Sequence, residues 1–133
     1  MKKLLVLTAV ILSAATSFAA QNPQIRACRV VGGQFLVMIS DEDQVGVCHI
    51  GLSLVGAIDI LNKDSRIEAP LSLSHYKRGI QVCQSQNITT LTTFEGEKVT
   101  FCQYNDGSFI DIETVASGKV SGRNLELNKA LGL

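Results

Sequence analysis

The sequence predicts an α+β protein of two tandem helix–β-hairpin–helix modules, each stapled by a disulfide, with the hairpins joined in a small antiparallel sheet. Three observations predict it. Cys28 and Cys48 lie 20 residues apart and Cys83 and Cys102 lie 19 apart, so the cysteines form two similar pairs. The apolar positions around the first pair recur around the second at offsets near 55, the mark of an internal repeat. In front stands an apolar leader that directs the chain out of the cytoplasm, where thiols oxidise.

The leader covers residues 1–19. Lys2 and Lys3 supply the positive start, Leu4 to Ala15 is almost wholly apolar, and Ser17-Phe18-Ala19 sets small residues at the −3 and −1 positions of a cleavage site. The apolar run is shorter than the roughly 18 residues a bilayer span needs. No cysteine follows the site directly, which argues against a lipoprotein. A bacterial periplasmic or secreted product is expected. Cleavage removes two of the chain's twelve basic residues and leaves all twelve acidic ones. So slight an acidic excess, without clustered Lys and Arg, speaks against nucleic acid or an anionic membrane as partner.

The first module is expected over 20–62. Asn22-Pro23 opens a helix as N-cap and first residue. Ile25, Cys28 and Val31 follow as one stripe, and Gly32-Gly33 ends it. Phe35 to Ile39 reads as a buried strand, Asp41-Glu42-Asp43-Gln44 as the turn, and Val45 to Ile50 as the return strand. Ser53 is expected to cap a second helix carrying Leu54, Ala57, Ile58 and Leu61 at i, i+3, i+4 and i+7.

Residues 63–75, polar and containing Pro70, read as a linker. The second module is expected over 76–118. Ile80 and Cys83 repeat Ile25 and Cys28 on the face of a helix. Thr89 to Phe94 and Val99 to Tyr104 are the strands, with Glu95-Gly96-Glu97-Lys98 as the turn. Asn105-Asp106-Gly107 is a second turn. Ser108 is then expected to cap a helix carrying Phe109, Ile112, Val115 and Ala116. The tail, 119–133, shows only a weak helical pattern.

Four cysteines allow three pairings. The repeat favours Cys28–Cys48 and Cys83–Cys102, each closing a loop worth about 3 kcal/mol in the chain-entropy view. A zinc site is the weaker reading, because Cys-x-x-Cys is absent and the pairs are far apart.

Asn22-Pro23, Cys28, Gly32-Gly33 and Gly46-x-Cys48 resemble the opening of the haemolysin-labelled family of small exported bacterial proteins, which carry a domain of unknown function. The second copy resembles the other end of that pattern, with Cys102, Asn105-Asp106-Gly107-Ser108 and a helix. The resemblance covers about residues 22–61 and 80–116 and implies two degenerate copies in tandem. This chain has no Trp and lacks the proline before Asp106. The family label implies a haemolysin-like toxin, although no strongly amphipathic cationic helix is present.

Catalytic patterns are not met. Gly51-Leu52-Ser53-Leu54-Val55 lacks the closing glycine of a nucleophile elbow. Asp41-Glu42-Asp43 begins like a calcium loop, but Val45 and Leu52 fall on its fifth and twelfth positions. Cys48 and His49 are strand neighbours and point to opposite faces. His49 and His75 lack ligand spacing, and Asn87-Ile88-Thr89 marks a loop entering a strand. Neither catalytic residues nor a metal or cofactor are expected. The expected function is binding, inhibitor-like in character, through Asp41–Gln44, Glu95–Lys98 and Asn105–Gly107, with an envelope or extracellular protein as partner and no stable membrane insertion. A structural protein that self-associates through exposed sheet edges is the alternative.

Overall fold

A computed structural model describes residues 22–83 and 87–133; the leader expected over 1–19 lies outside the described residues. Helix α1 (Pro23–Val30) starts where the Asn22 side chain accepts the Gln24 N–H at 3.0 Å. It stops where the Gly33 N–H turns back to the Cys28 carbonyl. Gly33 must also be small, since a Cβ there would strike both Cys28 Sγ and Cys48 Sγ.

Strands β1 (Gln34–Ile39), β2 (Gln44–Ile50) and β3 (Ser53–Gly56) form an antiparallel meander, and β3 runs directly into α2 (Ala57–Leu61). The second half repeats the plan: α3 (Leu71–Lys77), then β4 (Asn87–Thr92), β5 (Lys98–Gln103) and β6 (Phe109–Asp111), then α4 (Ile112–Ser117). A 3₁₀ turn at Gly122–Asn124 leads into α5 (Leu125–Leu131).

The two meanders close on each other into a six-stranded antiparallel barrel, in the order β1-β2-β3-β6-β5-β4. This corrects the expected pair of helix–hairpin–helix modules sharing a small sheet. Each half contributes three strands, and the third lies where the sequence predicts the first turn of a helix. Ser53 and Ser108, expected as caps, stand in β3 and just before β6 instead. Residues 53–56 and 109–111 are mostly buried on both faces, so they show none of the alternation that marks a half-exposed strand. Closure pairs the outer strands of each meander through one ladder pair at each seam.

The seams reveal the relation between the halves. Within the meanders, Phe35, Cys48 and Val55 stand side by side, as do Ile88, Cys102 and Ile110. One seam pairs Val55 with Ile110, and the other pairs Ile39 with Thr92. Each seam therefore joins a residue to its own counterpart in the other copy, as a two-fold axis through the barrel requires.

The barrel interior is filled by Met38, Val47, Leu91, Phe101 and Phe109, with Phe101 and Phe109 edge to face at 5.3 Å. A second core lies between the barrel and the helices and contains Cys28, Cys48, Ile50, Val55, Ile60, Leu73, Tyr76, Cys102, Ile110, Val115 and Leu127. Cys28–Cys48 ties α1 to β2, and Cys83–Cys102 ties the segment after α3 to β5. Such bonds belong to oxidising surroundings. Cys83 is not helical, contrary to expectation, because α3 ends at Lys77 and Gly79 turns the chain. That helix begins at Leu71, inside the expected linker. The tail is a docked helix: Leu127 is fully buried and the Tyr76 hydroxyl donates to Asn128 Oδ1 at 2.6 Å. No described helix is long and apolar enough to cross a membrane.

Candidate functional site

Strands β1 and β4 run antiparallel where they meet, so the turns that follow them lead to opposite ends of the barrel. Asp41–Gln44 is exposed at one end, beside a depression of about 270 Å³ lined by Ser40, Asp43, Val45, Thr89, Phe101 and Phe109. Asn105–Gly107 joins β5 to β6 at that same end and is also exposed. Glu95–Lys98 lies at the far end, where Lys98 neighbours Leu52, Glu113 and Arg123. Of the three expected binding segments, the fold thus brings two to one end and sets the third apart.

Beside Asn105–Gly107 opens a larger cleft, of about 540 Å³, between α2, the 67–71 segment and the β5–β6 turn. Asp59, Asn62, Glu68, Asp106 and Ser108 supply its polar lining, and Ile58, Ile67 and Leu71 contribute to its apolar lining. The sequence explains how Asp106 is held. In the Asp-Gly-Ser turn its Oδ1 accepts from the Ser108 N–H at 3.0 Å and hydroxyl at 2.6 Å, and its Oδ2 accepts from the Leu71 N–H at 2.8 Å. Partial burial pushes this carboxyl upward, but the Ser108 hydroxyl and the N–H groups of Leu71 and Ser108 outweigh it. The net result is a carboxyl below its ordinary range.

Asp59 behaves in the opposite way. It sits on α2 with 4 % of its surface exposed, and its Oδ2 accepts the Phe109 N–H at 3.0 Å across the β3–β6 seam. Burial pushes the carboxyl up to about 7; the Phe109 N–H opposes the rise and the nearby Asp106 adds to it. Among the described residues no Lys or Arg is within ion-pair distance of Asp59.

The two-fold-related corner is built differently. There the Leu54 N–H donates to Asp111 Oδ2 at 2.7 Å, the counterpart of the Phe109–Asp59 bond. Asp111 also caps α4 through the Thr114 N–H at 2.9 Å and hydroxyl at 2.6 Å. Arg123 fills the corner. Its guanidinium donates to Thr114 Oγ1 (2.8 Å), Asn124 Oδ1 (2.9 Å), the Leu52 carbonyl (3.0 Å) and Glu113 Oε2 (3.3 Å), and stands 3.7 Å from Asp111 Oδ1. Asn124, wholly buried, ties the turn to Ser53, Thr114 and Gly118.

Sequence reasoning missed Asp59, Glu68, Asp111, Arg123 and Asn124. One signal was present: the repeat that matches Val55 to Ile110 also matches Gly56 to Asp111. The first copy lacks a carboxylate where the second has one, and Asp59 reaches back into that space; a Cβ on Gly56 would collide with it.

The acidic lining of the cleft can accept hydrogen bonds from a cation. Among the described residues, no three His, Cys, Asp or Glu side chains stand close enough to hold a metal ion. His75 packs edge-on against Tyr104 at 4.9 Å, and its Nδ1 is buried without a hydrogen-bond partner. No family model, no curated protein and no solved structure matches the chain.

Proposed function

We propose that the chain is an exported, non-catalytic binding protein of the periplasm or extracellular space, contacting another protein through one end of its barrel. The observation that carries this reading is the convergence there of two exposed turns, Asp41–Gln44 and Asn105–Gly107, with two depressions that adjoin across Ser108 and Phe109. Loops on a rigid frame are the usual seat of recognition. The frame here is a closed barrel with two disulfides. The carboxylates of the cleft hold backbone N–H groups, a use that favours binding over acid–base turnover. The leader over residues 1–19 and the disulfides support the compartment.

A photo-cross-linking residue at Glu42, at Asn105 and at Glu97 of the full chain in its own cells tests the reading. Discrete adducts are expected from positions 42 and 105 and none from 97. Adducts from 97 alone, or from no position, would overturn it.

A further inference from the structure

The two corners flanking the β3–β6 seam are related by the barrel's two-fold, and each presents a buried carboxylate that accepts a backbone N–H from the opposite strand. In one corner the chain supplies its own counter-ion, Arg123. In the other, none of the residues lining the cleft is basic, while Asp59, Asp106 and Glu68 all face it.

Resting on the binding role proposed above, we propose that the cleft between α2, the 67–71 segment and the β5–β6 turn receives an arginine side chain of the partner protein, as the opposite corner receives Arg123. A fork of N–H donors suits carboxylates that are spread along a wall. A metal ion does not suit them, since no three ligating groups converge among the described residues. The Ser72 hydroxyl, wholly buried on α3 behind the cleft, faces Asp59 and favours its ionised form. A protein rather than a free cation is indicated by the rim: Ile67 is 95 % exposed, and Ile58 and Leu71 are also exposed, so apolar neighbours of the arginine find contacts.

Binding is coupled to a proton. The groups facing Asp59 are the Phe109 N–H of β6, the Asp106 carboxylate on the β5–β6 turn and the Ser72 hydroxyl on α3, and Glu68 lines the same cleft from the loop. A guanidinium entering the cleft favours ionised Asp59, so affinity rises as pH is raised from 5 to 8.

The test uses the processed protein, amide-resolved NMR and three blocked peptide probes, Leu-Arg-Leu, Leu-Lys-Leu and Leu-Gln-Leu. The arginine peptide is expected to shift the Leu71, Ser108 and Phe109 amides and to bind about tenfold more tightly at pH 8 than at pH 5. Glu68→Gln, on an exposed loop where folding is safe, should weaken it several-fold at pH 8, by roughly one charge-assisted hydrogen bond. Asp59→Asn should abolish the pH dependence. The assignment is overturned if the arginine and glutamine peptides bind alike, if lysine binds better than arginine, or if Glu68→Gln changes nothing. If it is overturned while cross-links from Glu42 and Asn105 persist, the binding role stands and only the occupant of the cleft is wrong.

Discussion

Gly56 and Asp111 occupy equivalent places on the two sides of the β3–β6 seam, and the fold solves the same problem differently at each. In the second half Asp111 sits at the end of β6, accepts the stray Leu54 N–H, caps α4 and meets Arg123. In the first half glycine leaves α2 without a side-chain cap, and Asp59 reaches over from within the helix to accept the Phe109 N–H, with no cation beside it. A duplicated scaffold thus carries one neutralised carboxylate and one that burial keeps protonated up to about pH 7. The difference teaches that in the second copy's corner the chain's own C-terminal segment supplies a counter-ion, a seal on the carboxylate that the first copy's open corner lacks among the described residues.

Removing the seal is the largest blow to this contrast. Arg123→Met deletes the donor to Leu52, Thr114 and Asn124 and leaves Asp111 buried without its counter-ion. Breaking one partner of a buried pair costs about 3–5 kcal/mol. Urea denaturation at pH 7 should show a loss of that order. A loss below about 1 kcal/mol would mean that the corner needs no cation and that the two halves are less unlike than their geometry suggests.

The open corner responds to pH instead. Native Asp59 keeps its proton up to about pH 7, whereas the unfolded chain releases it near the ordinary 3.8. The folded state therefore binds more protons between these values, and this group's contribution to stability falls as pH rises from about 4 to 7. Asp59→Asn retains an acceptor for the Phe109 N–H and cannot ionise. It should be close to neutral near pH 4 and stabilise the fold at pH 8 by up to about 4 kcal/mol. Denaturation curves of both proteins at the two pH values decide it: a variant equally or less stable at pH 8 refutes the protonated, uncompensated Asp59. Asp106 works with the opposite sign. Its lowered carboxyl stabilises the fold above the ordinary value, and that support is lost only as acid protonates it.

How much of this could be read in advance follows from which interactions are local. The hairpins β1–β2 and β4–β5 were legible because strong turn residues separate apolar runs of strand length. The cysteine partners were legible because the repeat places each pair on one helix or segment and its own hairpin. Barrel closure was not legible, since Val55–Ile110 and Ile39–Thr92 join residues more than 50 positions apart through single ladder pairs. The helical spacing of Leu54, Ala57, Ile58 and Leu61 is real, but its first member belongs to a strand. A doubly buried strand and a helix start use the same apolar letters. In the candidate site, the Asn105–Gly107 turn announced itself by composition. Asp59 and Arg123 did not, because a lone carboxylate in a helix and an arginine in a weakly patterned tail gain meaning only when the seam brings them to equivalent corners.

The smallest difference between the halves concerns their disulfides. Cys28–Cys48 and Cys83–Cys102 span 20 and 19 residues, so loop entropy gives them nearly equal worth, about 3 kcal/mol each. Packing separates them. Cys28 and Cys48 are both wholly buried, with Gly33 pressed against their sulfurs, whereas Cys83 is only partly covered. Replacing each pair by alanines should therefore destabilise the first half's variant more, by about 1 kcal/mol, the scale of a small buried group. Thermal and urea unfolding of the two double variants measure the gap. A larger loss from Cys83 and Cys102 would show that the second half, with its sealed corner, depends more on its covalent staple than on the packing around Arg123, and the contrast between the halves would have to be reversed.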